Sequence, residues 1–233
     1  MKISVVNIPA INPGKHNIKD SRLDQVDGIT KAKKKTYIQV EVVAQDSALD
    51  ADAILALSDS KTDFVLNDLE FVETRLSRAS TDAEKALLNK FKAVLEKEEF
   101  ISTIPLTEEE KKIISGYGLY TLKSITLAKQ EEAEDANALL ARALADSGYI
   151  SFFTTGEKET RAWLIKKGIN AWEAAGTIHS DIQKGFIRAE IISFNDFLSC
   201  GGENAAKQAG KMRLESKDYI MQDTDLVNFR FNK

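Results

Sequence analysis

A single cysteine, Cys200, and two histidines, His16 and His179, are all the chain carries of the residues that most often bind metals or form disulfides. One cysteine excludes an internal disulfide and fits a reducing compartment. Cys200 reads as an inert small residue at a helix end, since no nucleophile–base arrangement surrounds it. Neither histidine has metal-ligand spacing to the cysteine or to the other histidine, so no metal site is expected. Long apolar runs are also missing. The N-terminal one is short and broken by Asn7 and Pro9, so neither a signal peptide nor a membrane span is expected, and the expected location is cytoplasmic. Neither sign of charge dominates: the formal net charge is -4. That argues against a general polyanion binder; no DNA partner is expected, and any RNA surface has to be a local patch. No G-x-S-x-G motif points to a nucleophilic serine. Asp223 and Asp225 read as a turn before a last strand rather than as paired acid and base. What is present, 233 residues with 43% apolar and 29% charged content, suits one large or two small globular domains.

From the N-terminus, Lys2 to Ile8 reads as a buried strand and Pro9 to Asn17 as a loop. Arg22 to Ile29 reads as a short helix capped by Asp20 or Ser21. The basic run Lys31 to Lys35 reads as a solvated loop before a strand over Tyr37 to Ala44. Ser47 to Leu57, rich in Ala and Leu, is expected to be helical. Leu66, Leu69, Val72, Leu76 and Ala79 recur at helical spacing, and Leu87, Phe91 and Val94 repeat the pattern after Ser80-Thr81-Asp82. Two amphipathic helices packed as an antiparallel hairpin follow from that pattern. Thr107 and Glu110 form a capping box, with the helix stopping at Gly116 and Gly118. Leu119 to Ala128 reads as a strand returning to the first sheet, and Glu131 to Ser147 as a helix ended by Gly148.

Period-two alternation then appears in Arg161 to Ile165, Phe186 to Ile192 and Leu226 to Phe231, each run closed by turn residues. A helical, then irregular stretch from Ala171 to Gly185 lies between the first two. Strand hairpin, helix, strand, short helices and strand is the order of a small β-grasp domain, helix packed on sheet.

Four blocks in this region, TTGEKETRAW, AAGTIHSDIQKGFIRAE, AAKQAGKMRLESKDY and QDTDLVNFRFN, resemble the C-terminal TGS domain of the YchF/Obg-like ATPase family. DSRLDQV at Asp20 to Val26, the paired helices, and LTEEEKK followed by YTLKSITLA extend the resemblance toward the N-terminus. The family implies a P-loop nucleotide-binding domain with an inserted helical hairpin. It also implies a TGS domain acting as a ligand- or RNA-interacting module on a translation-linked protein.

A P-loop needs G-x-x-x-x-G-K-[ST], so that backbone N–H groups close on phosphates, Lys neutralises charge and the hydroxyl ligates Mg²⁺. The sole candidate, Pro9 to His16, has Pro for the first Gly and His for the Ser/Thr, and Pro13 removes a backbone donor. Gly14 and Lys15 are therefore only weak nucleotide-binding candidates. Counted without gaps, the family's Asp-x-x-Gly motif falls on Ala44-Gln45-Asp46-Ser47 and its Asn-x-x-Glu motif on Gln130-Glu131-Glu132-Ala133. Asp46 is no substitute, because two residues along a strand end displace a ligand by about 6–7 Å. Phosphoryl transfer rests on positioned charge and Mg²⁺, so its failure at three places implies lost hydrolysis.

The expected fold is α/β: a reduced P-loop-type remnant sheet (1–63 with 119–148), an inserted antiparallel helical hairpin (64–118) and a C-terminal TGS-like β-grasp domain (149–233). The expected function is a non-catalytic adaptor contacting the ribosome, RNA or a protein partner, with no catalytic residues and no cofactor. The alternative is an ATP- or GTP-binding member with a rebuilt phosphate site, which would take Mg-ATP or Mg-GTP. Candidate partner- or RNA-binding residues are His179, Lys184, Phe186, Arg188, Lys211 and Arg213. Basic side chains among them would meet phosphates, and Phe186 either stacks on a base or joins Ile187 in the core.

Overall fold

A computed structural model describes residues 1–232. Along the chain the elements begin β1 (Lys2–Val6), β2 (Gly14–Ile18), α1 (Ser21–Thr30), β3 (Lys35–Thr36), β4 (Ile38–Val43) and β5 (Ala53–Leu57). Next come α2 (Lys61–Leu76), α3 (Asp82–Leu95), α4 (Glu108–Ile113), β6 (Ser124–Ala128) and α5 (Ala136–Asp146). The C-terminal part holds β7 (Tyr149–Thr154), β8 (Thr160–Lys166), α6 (Ala171–Ile178), α7 (Ser180–Lys184) and β9 (Phe186–Ile192). It ends with α8 (Phe194–Cys200), α9 (Glu203–Gln208), β10 (Arg213–Glu215) and β11 (Leu226–Phe231). The result is a mixed α/β fold with two sheets.

The chain divides into two compact units, one formed by 1–16 and 40–147, the other by 17–39 and the chain from Gly148 onward. Residues 17–39 therefore group with the C-terminal elements, whereas the sequence placed them with the first sheet. The reason is apolar cover: Leu23 and Val26 of α1 are buried beside Phe153, Ala162 and Ile192.

The first sheet has the order β2-β4-β1-β5-β6. β1 runs parallel to β4 and β5, and β5 parallel to β6. β1 and β5 are almost wholly buried, as parallel strands covered on both faces are. The helix expected over Ser47 to Leu57 is corrected: a 3₁₀ turn spans Gln45–Asp50, and Ala53–Leu57 is strand β5. A short unbroken apolar run carries no period, so burial rather than propensity decided its state. The loop expected over Pro9 to Asn17 likewise contains β2.

α2 and α3 pack through Val65, Val72, Leu87, Leu88, Phe91 and Leu95, with Ile101, Ile114 and Leu119 completing the cluster. Thr81 caps α3 by accepting from the Glu84 amide. Leu66, expected in the stripe, is 56% exposed; Asp68 is buried instead, accepting the amides of Tyr120 and Thr121 at 2.9 and 2.7 Å. The Thr107–Glu110 capping box forms at α4.

The second sheet has the order β10-β9-β11-β7-β8-β3. β7 and β8 are antiparallel, pairing Tyr149 with Lys166 through to Thr154 with Arg161. β11 lies parallel to β7 and antiparallel to β9. One apolar cluster gathers Phe152, Ile165, Ala189, Ile191, Val227 and Phe229 with Ala171, Ala174 and Ala175 of α6. A second gathers Phe153, Ala162, Ile192 and Leu226 with residues of α1 and α8.

Candidate partner-binding site

The site is built where β9 begins and β11 ends. α6 starts on Asn170, whose side chain accepts from the Glu173 amide while Glu173 accepts from the Asn170 amide. It stops at His179, which is extended and caps the next helix: its Nδ1 accepts from the Asp181 amide at 3.1 Å. The five-residue α7 ends at Gly185, whose carbonyl accepts the Asn232 amide at 2.9 Å. A Cβ on Gly185 would run into the backbone of Asn232, so only glycine allows that approach. The cleft between these segments is lined by His179, Asp181, Ile182, Lys184, Gly185, Phe231 and Asn232.

A register shift between Arg230 and Phe231 sets the cleft's edge. Phe231 pairs with Phe186 and Arg230 with Arg188, which leaves Ile187 as the extra residue on β9. Ile187 is 49% exposed and Phe231 37%, so Ile187 is not a core residue. Phe186 packs partly buried on Phe229, ring centroids 6.0 Å apart.

Charge at this end of the sheet is unbalanced. Arg188 stands directly opposite Arg230, and like charges so placed destabilise a sheet. Arg230 is answered by Glu190, a buried carboxylate that also accepts from Asn228 at 2.8 Å. Arg230 holds the Glu190 carboxyl below its usual range. Arg188 and Lys184 are exposed and have no ion pair among the described residues.

Of the residues singled out from sequence, His179 and Lys184 line the cleft, and Phe186 and Arg188 adjoin it on β9. Lys211 and Arg213 do not line it. Lys211 pairs with Asp196 at 3.3 Å, and Arg213 lies over the Tyr219 ring and pairs with Glu215 at 3.4 Å. Sequence reasoning did not single out Arg230, Phe231 and Asn232. The final F-R-F alternation placed Arg230 on one face, but no local signal says that Asn232 reaches Gly185.

Elsewhere the turn reading of the two late aspartates matches what is seen. Asp223 accepts from the Ser151 amide and from Arg22, and Asp225 is buried, accepting from the Gln222 amide and the Tyr219 hydroxyl. Burial pushes the Asp225 carboxyl up, and burial together with Asp225 pushes the Tyr219 hydroxyl up to about 12. Cys200 closes α8, half-buried, ahead of Gly201 and Gly202. Gly14 and Lys15 sit in β2 of the other sheet. Between β1 and β2 the chain makes a turn in which the Ile11 amide reaches the Ile8 carbonyl, and no helix follows β1. No group of three or more His, Cys, Asp or Glu among the described residues could hold a metal ion, and no helix is long and apolar enough to cross a membrane.

The chain is a two-sheet α/β fold whose C-terminal unit carries a cleft with Lys184 in its lining and Arg188 beside it on β9. The comparisons place it more narrowly. Residues 149–232 match the YchF-GTPase_C family, described as a protein of unknown function (DUF933). The ribosome-binding ATPase YchF of Haemophilus ducreyi (strain 35000HP / ATCC 700724) is 35% identical over 246 residues, covering 80% of this chain and 67% of that one. The protein of the same name from Bacillus subtilis (strain 168) is 32% identical over 235 residues, covering 73% and 64%. The chain thus belongs to the YchF/Obg-like ATPase family. It spans about two thirds of the length of these two curated relatives. The structure of the Schizosaccharomyces pombe YchF GTPase has the same fold, with a TM-score of 0.76 at 20% identity over 99% of this chain and 97% of that one.

Proposed function

We propose that this chain is a non-catalytic YchF-type adaptor that docks on the ribosome through its C-terminal unit and has lost nucleotide hydrolysis. The observation that carries the reading is the path after β1. Pro9 to Pro13 turns straight into β2, with neither the G-x-x-x-x-G-K-[ST] sequence nor a helix N-terminus to cradle a phosphate. The other two motif positions agree. Ala44 to Ser47 leaves β4 for a 3₁₀ turn without the glycine or the first carboxylate of Asp-x-x-Gly, and Gln130 to Ala133 comprises a 3₁₀ turn over Gln130–Glu132 and the residue after it, without the final Glu of Asn-x-x-Glu. Phosphoryl transfer needs all three together.

The docking half is better kept. The family match covers 149–232, and the helix-on-sheet arrangement of α6 against β7, β8, β9 and β11 fits the TGS-like β-grasp reading. The relatives are named for ribosome binding, and the cleft offers what a ribosomal surface would meet: Lys184 and Arg188 for phosphates, with exposed Ile187 and Phe231 for apolar contact.

Co-sedimentation with ribosomes tests this. The parent chain is expected to pellet with ribosomes without nucleotide, and the Lys184→Glu, Arg188→Glu double variant to bind about tenfold more weakly or worse. Failure to pellet, or pelleting only when Mg-ATP is added, would overturn the reading.

A further inference from the structure

A second groove, in the unit that carries the first sheet, has a chemistry that the docking cleft does not explain. It lies where α2 ends and the chain leaves α4, lined among others by Thr74, Arg75, Arg78, Ser115, Gly116 and Tyr117. No carboxylate lines it.

The two arginines differ in a way that matters. Arg75 is fixed: its Nε and Nη2 donate to Oε1 of Glu84 at 2.7 and 2.6 Å, and its Nε lies 3.2 Å from the Tyr117 hydroxyl. Glu84 is buried and also accepts from the Tyr117 hydroxyl. The guanidinium lies over the Tyr117 ring, 5.5 Å from its centroid, and Phe71 packs on that ring at 5.4 Å. Arg75 is thus a flat plate with its charge answered by Glu84, yet its side chain remains 44% exposed. Guanidinium planes held this way stack on π-systems without having to be ordered first.

Arg78 is the opposite case. It stands three residues on, in the turn that follows α2, with its amide bonded to the Arg75 carbonyl at 3.0 Å. Its side chain is exposed and makes no ion pair among the described residues. Thr74 and Ser115 also line the groove, and Gly116 leaves open space where a side chain would stand.

A plate whose charge Glu84 balances, beside a free cation and two hydroxyl residues, matches an unpaired nucleotide. The base supplies a π-face for Arg75, and the phosphate supplies charge for Arg78. A phosphopeptide would use the cation and leave the plate unused, so the pairing favours nucleic acid. We infer that this groove binds single-stranded RNA, the base lying on Arg75 and the adjoining phosphate on Arg78. The inference is independent of the C-terminal docking reading.

Fluorescence anisotropy with a labelled single-stranded RNA of about eight nucleotides, the full chain and three charge variants tests it. Arg78→Glu and Ser115→Glu, both at exposed positions, are each expected to weaken binding by about tenfold, with the unfolding midpoint unchanged. Lys158→Glu, at an exposed position in the other unit and outside both grooves, is expected to bind this RNA like the parent. Arg75→Lys keeps the charge beside Glu84 but removes the plate, and is expected to lose affinity without losing salt dependence. Unchanged binding by Arg78→Glu and Ser115→Glu would overturn the inference. So would an absence of RNA binding by the parent chain, or an equal loss in Lys158→Glu.

Discussion

Arg188 faces Arg230 across β9 and β11, and only Arg230 has a carboxylate to meet it. A residue kept for a partner at the fold's expense should reveal itself when removed. Arg188→Thr is expected to raise stability by about 0.2–1 kcal/mol while weakening ribosome association. A urea midpoint that falls instead would make Arg188 a structural residue. Asp68 is the reverse, a charged group in the fold's service. Removing its carboxylate strands the buried amide of Thr121 and that of Tyr120, so Asp68→Ala should cost about 2–4 kcal/mol in urea unfolding. Loss below about 0.5 kcal/mol would mean that water replaces it. Asp68 was not legible in the sequence. Its partners lie 52 and 53 residues away, and Leu66 beside it carried the helical period that Asp68 interrupts. His179 was legible as a residue of interest, but not in its role: it ends one helix and caps the next.

At the level of elements, caps and alternation were readable and unpatterned strands were not. Asp20 at α1, Thr107 with Glu110 at α4 and the alternating runs of β8, β9 and β11 stand where residue chemistry put them. β5 lies between β1 and β6, so its residues are apolar throughout, and that erases the period that would have marked it. The glycines sort by the same logic of close approach. Gly185 touches the end of β11, so Gly185→Ala is expected to destabilise the C-terminal unit by about 1–3 kcal/mol and to deform the cleft. Gly28 lies exposed within α1 with open space where a methyl group would stand, so Gly28→Ala should stabilise by about 0.5–1 kcal/mol. Thermal unfolding of the two variants checks both signs; a Gly185→Ala chain as stable as the parent would mean that Asn232 does not hold its position.

At the scale of the molecule, the sequence led to the right family and to two sheets, but not to the division between the units. Residues 17–39 resemble a continuation of the first sheet because they follow it in the chain, and only burial of Leu23 and Val26 assigns them to the second unit. Such an assignment depends on contacts far apart in sequence, which no local pattern reports. The candidate site was half legible for the same reason: its β9 and α7 residues stand in one contiguous block, whereas Phe231 and Asn232 arrive from the other end of the domain. The central claim, that a YchF-family fold persists here without its nucleotide chemistry, concerns the whole chain. Calorimetric titration with Mg-ATP and Mg-GTP tests it most directly, at protein concentrations that reveal a dissociation constant near about 1 mM, or about 4 kcal/mol of binding. The account predicts no saturable heat with either nucleotide. Saturable binding in the micromolar range would contradict it and locate a working phosphate site outside the family's motifs.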